Sequence, residues 1–361
     1  GWDGGPYREE VVLADLELDG DPTPGVLHVA AGRSGLIFLF ALGETATWRL
    51  LATRPGGDDA LPFGCPTAEV PAAEVDALLR QAGLGASLRH LTWSARVRLQ
   101  HRLARRFRAG RLFLVGDAAH THSPAAAQGM NTGILDAVNL GWKLAFTAHT
   151  EAAHTETAPT APDGSAPNGR PPDGTALLDS YEAERRPVAR QVLALTHGVF
   201  FAEAATHPAP AFLRGTLVPA LAPALPLLLR QRVLLAQVVR VLSQMWVRYR
   251  RSPLSVEGSP AGGAGPRAGD RLPDREVPRD GTTVRLHDLT ARPGIHLLLD
   301  RDAQQPDTTG LGPWVTVHRL PDRPGRGLRA VRPDGHLGFR CGVADVAQLA
   351  AWLDLVGARP G

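Results

Sequence analysis

The sequence predicts a mixed α/β and α+β chain of several domains, and three observations carry that prediction. Residues 11–52 hold four short β-prone segments separated by turn signals and spaced too tightly for βαβ units. Residues 110–145 run strand, Gly-Asp turn, loop and helix, and residues 268–358 alternate strands with a closing helix. A chain of 361 residues also exceeds what one hydrophobic core usually serves.

Taken in order, VVLADLEL, VLHVAA, LIFLFAL and TWRLLA form an antiparallel meander. AAEVDALLRQAG places Val75, Leu78 and Leu79 at helical spacing and stops at Gly83. Leu91 to Leu103 alternates as a long strand with Trp93, Ala95, Val97 and Leu99 on one face. RLFLVGD, 111–117, is expected to be a short buried strand. A helix from Gln128 to about Phe146 is expected to bury Ile134, Leu135, Val138, Trp142 and Ala145. The domain layout expected is 1–103, a β-sheet domain, then 104–200 with a flexible surface insertion at 150–174, whose composition holds little to bury. A helical segment (201–251), a Gly/Pro/Ser-rich linker (252–267) and a small α/β domain (268–358) follow. Its strands fall at Ile295–Leu299, Val315–His318 and Leu328–Val331, and its helix at Val343–Leu355.

Composition removes several functional classes. The net charge is +3, Lys143 is the only lysine, and no basic run exceeds a pair such as Arg105-Arg106, which argues against a nucleic-acid surface. Cys65 and Cys341 lie far apart with no CxxC, so neither a disulfide framework nor a zinc site is expected. The longest uncharged apolar run, Gly215–Leu229, is broken by Pro219, Pro223 and Pro226 and is too short to span a bilayer. No charged n-region followed by an apolar h-region opens the sequence, so a cytoplasmic place without a membrane partner is expected.

The chemistry concentrates after RLFLVGD. Asp117 stands where a strand ends, the position from which α/β proteins reach ligands, and its carboxylate can accept hydrogen bonds from polyol hydroxyls. Gly116 precedes it, and Pro124 stiffens the loop that follows. Gln128-Gly129-Met130-Asn131 opens a helix, whose positive end favours developing negative charge, while Gly129 admits a flat ligand close to the backbone. Asp117, His120 and His122 also spell D-x-x-H-x-H, which could hold a metal, although the histidines can equally pack or bond locally. Trp142 and Met130 read as core side chains, and Arg185-Arg186 as a solvated face or an ion pair with Glu182 or Glu184.

The stretch from Arg111 to Ala145 resembles the second flavin-contact motif of the para-hydroxybenzoate-hydroxylase-like flavoprotein monooxygenases, the FAD-dependent aromatic hydroxylases. It keeps Arg111, Leu114, Gly116-Asp117-Ala118-Ala119-His120, Pro124, Gln128-Gly129-Met130-Asn131 and Gly133, then Asp136, Ala137, Asn139, Leu140 and Trp142 to Ala145. Ala126-Ala127 departs from the pattern, which usually has a glycine there. LLDSYEAERRPVA (177–189) and YRRSPL (249–254) resemble later family elements. GDRLPD (269–274) and LRAVRPDGHLGFR (328–340) resemble the thioredoxin-like C-terminal domain of the phenol and polyketide hydroxylase branch. Without CxxC, that domain is expected to have no thiol-redox role.

The resemblance implies part of a three-layer FAD/NAD(P)-binding domain, an antiparallel-sheet substrate domain and a thioredoxin-like domain. It implies FAD as cofactor, NADPH or NADH as reductant, and molecular oxygen and a small phenolic or polyketide-like aromatic substrate as partners, hydroxylated through a flavin C4a-hydroperoxide. Gly116, Asp117, Pro124, Gln128, Gly129, Met130 and Asn131 are the implied flavin contacts. Arg96, on the strand that borders the family's substrate cavity, is a candidate substrate contact. The family's G-x-G-x-x-G, which holds the ADP half of FAD, is not found, so the chain is expected to lack the N-terminal ADP-binding half and to hold FAD loosely. The other reading is a non-catalytic remnant serving as a binding or dimerisation module, and a homodimer would suit either.

Overall fold

The computed structural model describes residues 1–361 apart from 21, 33–34, 44–46, 56–68, 125–127, 158–174, 205–207, 225–229, 308–310 and 359–361. Cys65, Ala126-Ala127 and most of the 150–174 segment thus lie outside the described residues. In chain order, the first strands are β1 (Trp2–Asp19), β2 (His28–Gly32), β3 (Gly35–Ala41) and β4 (Trp48–Pro55), followed by α1 (Ala72–Ala82) and β5 (Ser87–Ala104). Then come β6 (Arg108–Ala109), β7 (Leu112–Phe113), β8 (His120–Thr121), α2 (Gly129–Thr157) and α3 (Thr175–Ala204). Short helices α4 (Pro208–Phe212) and α5 (Val218–Leu221) precede α6 (Arg232–Leu242). The last part holds β9 (Val256–Glu257), β10 (Glu276–Arg279), β11 (Thr282–Arg285), α7 (Leu286–Leu289), β12 (Ile295–Asp300), β13 (Val315–Leu320), β14 (Leu328–Val331), β15 (Leu337–Cys341) and α8 (Val346–Leu355).

These elements fall into two compact units that interleave along the chain. One comprises Gly1–Arg105, Asp117–Met130 and Ala189–Ser243; the other comprises Arg106–Gly116, Asn131–Val188 and Gln244–Gly361.

The first unit is built on an antiparallel sheet in the order β2-β3-β4-β1-β5-β8: the predicted antiparallel strands form and β2 to β4 run as a meander, but β1 pairs with β4 and β5 and not with β2. Alternation sends Val12, Ala14 and Leu16 of β1, Leu39 of β3 and Leu50 and Ala52 of β4 to one face, where Val75 and Leu79 of α1 cover them. Fully burying each of these leucines contributes roughly 2 kcal/mol. α1 stops at Gly83, whose φ of 64° is the left-handed cap expected after AAEVDALLRQA. The opposite face carries Tyr7, Val11, Leu13, Leu51 and Leu99, against which Phe200 and Ala204 of α3 pack.

In the second unit the sheet order is β13-β12-β14-β15-β9. β12 pairs in parallel with β13 and antiparallel with β14, which pairs antiparallel with β15, and α8 follows as the closing helix. This is the mixed α/β arrangement expected for the C-terminal domain. Ile295, Leu297, Leu299, Ala330 and Phe339 form its core with Leu349, Trp352 and Leu353 of α8. Asp345 caps α8, its carboxylate accepting the Gln348 N–H at 3.0 Å. Two expectations change here. The 252–267 stretch contributes β9, paired in parallel with β15, and the Gly258 N–H donates to the Arg340 carbonyl at 2.7 Å. α2 continues through Thr157, eleven residues past the predicted end, with Thr150 donating to the carbonyls of Phe146 and Gly357.

RLFLVGD is not a buried strand. Its Leu112–Phe113 pairs only with Arg108–Ala109, in a short antiparallel hairpin, and Leu112 is 76% exposed. A two-residue ladder offers too few bonds and too little covered area to bury its neighbours.

Candidate functional site

α2 reverses the amphipathic pattern read from its sequence. Ile134 and Val138, expected in the core, are exposed, while Thr132, Asp136, Asn139 and Lys143 are completely or almost completely buried. Hydrophobic periodicity assigns the apolar stripe to the interior, but here the polar stripe meets buried partners of opposite charge. Only Trp142 behaves as predicted, buried in the core of its unit.

Those partners sit within the same compact unit. Glu184 of α3 accepts from Asn139 Nδ2 at 2.7 Å, from Lys143 Nζ at 2.8 Å and from both terminal nitrogens of Arg332 at 2.6 and 2.8 Å. Ser252 donates to it as well, and Asp334 pairs with Arg332 and accepts from Trp142 Nε1 at 3.4 Å. Burial alone would push the Glu184 and Asp334 carboxyls up; the guanidinium of Arg332 more than reverses this, with help for Glu184 from Lys143, so both stay well below the usual carboxylate range. For Lys143, burial dominates over the attraction of Glu184 and lowers the ammonium to about 8.

A second buried cluster fixes the start of α2. Arg185, fully buried, donates to Asp136 Oδ1 at 2.6 Å, to the Tyr249 hydroxyl at 3.0 Å and to the Thr132 carbonyl at 3.1 Å. The expected solvated Arg185-Arg186 face is therefore corrected at Arg185, and neither Glu182 nor Glu184 is its partner. Glu182 instead accepts the backbone N–H groups of Phe107 and Arg108 at 2.7 and 3.2 Å.

Asp136 also reaches the Gly-Asp turn, where its Oδ2 accepts the Gly116 N–H at 3.1 Å. Gly116 adopts φ 59°, a left-handed conformation that favours glycine. A Cβ on Gly133 would lie 3.5 Å from the Gly116 Cα, so two glycines meet where the turn approaches the first turns of α2. The matched positions Gly116, Gly133 and Asp136 are thus one brace that aims the turn. Composition and spacing alone did not reveal it; the only sequence signal was their joint presence in the motif.

The remaining candidates lie in the other compact unit, except Asn131, which is half-buried at the start of the helix. Asp117 and Pro124 are exposed, and Met130 is 75% exposed, so its side chain is no core residue. Gln128 is fully buried, its amide donating to the Val241 carbonyl at 3.3 Å. Gly129 leaves room for the His122 ring, whose Cε1 would lie 3.4 Å from an added Cβ. His120 is buried and stacks with His122 at 6.3 Å, while His122 Nδ1 bonds the Ser123 carbonyl at 2.9 Å. Burial lowers the His122 pKa, with the backbone bond to Ser123 opposing. Among the described residues no group of three or more His, Cys, Asp or Glu converges as a metal site. No helix among them is long and apolar enough to cross a membrane.

Arg96 points to the α1 side of the sheet. It stands opposite Val12 in the β1–β5 register and pairs with Glu74 of α1, which also binds Arg54.

Each part of the matched stretch, taken by itself, carries chemistry a flavin can use. In the second unit the Gly116–Gly133 pair keeps side chains out of the turn; in the first unit Asp117 offers an exposed carboxylate; and the helix that opens at Gly129 leaves its first amides without an acceptor within the helix. Residues 64–158 match the family described as FAD binding domain. The chain is 34% identical over 346 residues to a flavin-dependent monooxygenase of Mycobacteroides abscessus, covering 92% of this chain and 58% of that protein. It is 28% identical over 353 residues to pentachlorophenol 4-monooxygenase of Sphingobium chlorophenolicum, covering 93% of this chain and 56% of that one. It also superposes on the anhydrotetracycline hydroxylase OxyS of Streptomyces rimosus with a TM-score of 0.68 at 25% identity, covering all of this chain and 66% of that one. The chain therefore spans less than two thirds of each of these proteins. Motif, fold and relatives agree: residues 64–158 carry the FAD binding domain match, and more than nine tenths of the chain is similar to flavin-dependent monooxygenases and aromatic hydroxylases.

Proposed function

We propose that this chain takes part in the FAD-dependent, NADPH- or NADH-driven hydroxylation of a phenolic or polyketide-like aromatic ring by molecular oxygen. The observation that carries this reading is the brace formed by Gly116, Gly133 and Asp136, which aims a Gly-Asp turn from beside the first turns of α2. The relatives support the substrate class: one is named for pentachlorophenol, another for anhydrotetracycline.

In this reading FAD, when bound, supplies the reduction and oxygen chemistry. The chain supplies position and charge. The Asp117 carboxylate accepts hydrogen bonds from ribityl hydroxyls. Pro124 limits the freedom of the loop, and Gln128, anchored to Val241, sets where the helix begins. The backbone of Gly129, Met130 and Asn131 offers N–H donors and the positive helix end to negative charge on the flavin ring. We assign Arg96 to holding α1 against the sheet through Glu74, not to substrate. Because G-x-G-x-x-G does not occur in these 361 residues, the contacts proposed are with the ring and ribityl part of FAD.

The direct test follows NADPH and NADH consumption and hydroxylated product with the chain, added FAD and candidate phenols. Substrate-dependent consumption with product supports the reading. Flavin binding without turnover for any phenol would favour a non-catalytic binding module.

A further inference from the structure

Three stretches of the second unit carry none of the flavin contacts proposed above: YRRSPL (249–254), GDRLPD (269–274) and RPDGH (332–336). All three meet at Tyr249, which is 4% exposed. RPDGH is the turn between β14 and β15, closed by the Arg332 N–H donating to the His336 carbonyl at 2.8 Å. From this turn the His336 ring packs with its centre 4.3 Å from that of the Tyr249 ring, and the Arg332 guanidinium lies 5.4 Å from the same ring centre. Arg332 is itself held in place by Glu184 and Asp334. GDRLPD fixes the backbone. The Tyr249 N–H donates to the Gly269 carbonyl at 2.7 Å, and the Gly269 N–H donates to the Leu337 carbonyl of β15 at 2.6 Å. A Cβ on Gly269, whose φ is 86°, would lie 2.5 Å from the Tyr249 carbonyl carbon, so only glycine permits this approach.

The hydroxyl of the clamped tyrosine accepts from Arg185 Nη1 at 3.0 Å. Arg185 also donates to Asp136 Oδ1 at 2.6 Å and to the Thr132 carbonyl at 3.1 Å, both on α2. Of these three acceptors only Tyr249 lies off that helix. A guanidinium is a rigid plane, so holding one nitrogen fixes the direction of the rest. Tyr249 therefore ties the plane to the β14–β15 turn, and through it Asp136 keeps Oδ2 on the Gly116 N–H at 3.1 Å. Resting on the reading of the Gly116 turn as a flavin contact, we propose that Tyr249 is a positioning residue for that turn. Clamped by the β14–β15 turn, it sets Arg185; Arg185 sets Asp136, and Asp136 sets Gly116. The C-terminal strands thereby hold the flavin contact in shape.

The Gly116 amide reports on this without any flavin. Its hydrogen–deuterium exchange is followed by NMR in the full chain, with the Leu297 and Leu299 amides of β12, in the middle of their sheet, as internal reference. Tyr249→Phe, which removes only the hydroxyl, is expected to speed Gly116 exchange about tenfold and to leave the β12 rates unchanged. His336→Ala, which removes the ring packed on Tyr249, should speed it about threefold. Thr150→Ala, in the same unit but off this path, should leave it at the native rate. FMN affinity, titrated by fluorescence, should fall about fivefold in Tyr249→Phe and stay native in Thr150→Ala. Equal Gly116 exchange in the native chain and Tyr249→Phe would overturn the proposal. So would equal acceleration at Gly116 and in β12, the mark of a merely structural role, or FMN bound as tightly by Tyr249→Phe as by the native chain. A native chain that binds no flavin, yet loses Gly116 protection in Tyr249→Phe, would sink the flavin reading and uphold the positioning of the turn.

Discussion

Glu184 holds the buried charges of its unit together, because Asn139, Lys143, Ser252 and Arg332 all donate to it. Replacing it with glutamine leaves two buried cations facing a neutral amide. Glu184→Gln is expected to destabilise by about 3 kcal/mol or more in urea unfolding, whereas Leu112→Ala, at an exposed position, should stay within about 0.5 kcal/mol. Equal midpoints for the two variants would show the network to be energetically idle. Gly116→Ala should cost roughly 1–2 kcal/mol through the left-handed backbone alone, since an added Cβ there meets only the Gly133 Cα at 3.7 Å, an ordinary contact. The sequence made Gly116, Asp136, Asn139 and Lys143 visible as a pattern, but not as buried partners. Local spacing does not say that an arginine nearly two hundred residues away will meet an inward-facing lysine and asparagine.

Among the elements, β1 to β5 and α1 were legible because alternation, turn residues and the glycine cap all point the same way. α1 rests on the sheet through Val75 and Leu79 and is tied at its edge by Glu74 to Arg54 and Arg96. Leu79→Ala should therefore cost about 2–5 kcal/mol and Arg96→Ala about 1 kcal/mol or less, because the pair is partly exposed. Flavin affinity should be unchanged in Arg96→Ala; a matching loss would return that arginine to the site. α2 was misread in its facing, not its existence. Its apolar stripe is as helical in period as its polar one, so the sequence could not decide which stripe turns inward. RLFLVGD failed for a related reason: a short apolar run looks the same whether it ends in a sheet or in an exposed hairpin.

For the whole molecule, acid acts through groups of opposite sign: Glu203, raised to about 7 by burial, adds stability as pH falls from there, while His318 and then the buried carboxylates remove it. His318 is lowered to about 4 by burial and by neighbouring His296, whose Nδ1 lies 3.0 Å from His318 Nε2. The unfolded chain takes up this proton near the ordinary 6.5, the folded one only near 4, so this share of stability is full above about 6.5 and falls between those values. Glu184 and Asp334, both held below the ordinary carboxylate range, then take a further share as pH drops beneath that range. Between about pH 6.5 and 4 the urea midpoint should fall more steeply, or rise less, in the native chain than in His318→Gln, because Glu203 acts alike in both. Parallel profiles for the two would contradict the assignment. The family was legible because its motif is dense and contiguous; the interleaving of two compact units along the chain was not, since contacts at long sequence separation leave no local trace.

The functional reading of the chain rests on the Gly116–Asn131 stretch holding the ring and ribityl part of a flavin. A fluorescence titration of the chain with FAD and with FMN, alongside Asp117→Ala, probes this without any need for turnover. Both flavins should bind with affinities within about threefold of each other, and Asp117→Ala should weaken both by about tenfold, the scale of losing a charged hydrogen-bond acceptor. FAD binding far more tightly than FMN, or equal binding by native chain and Asp117→Ala, would overturn the assignment.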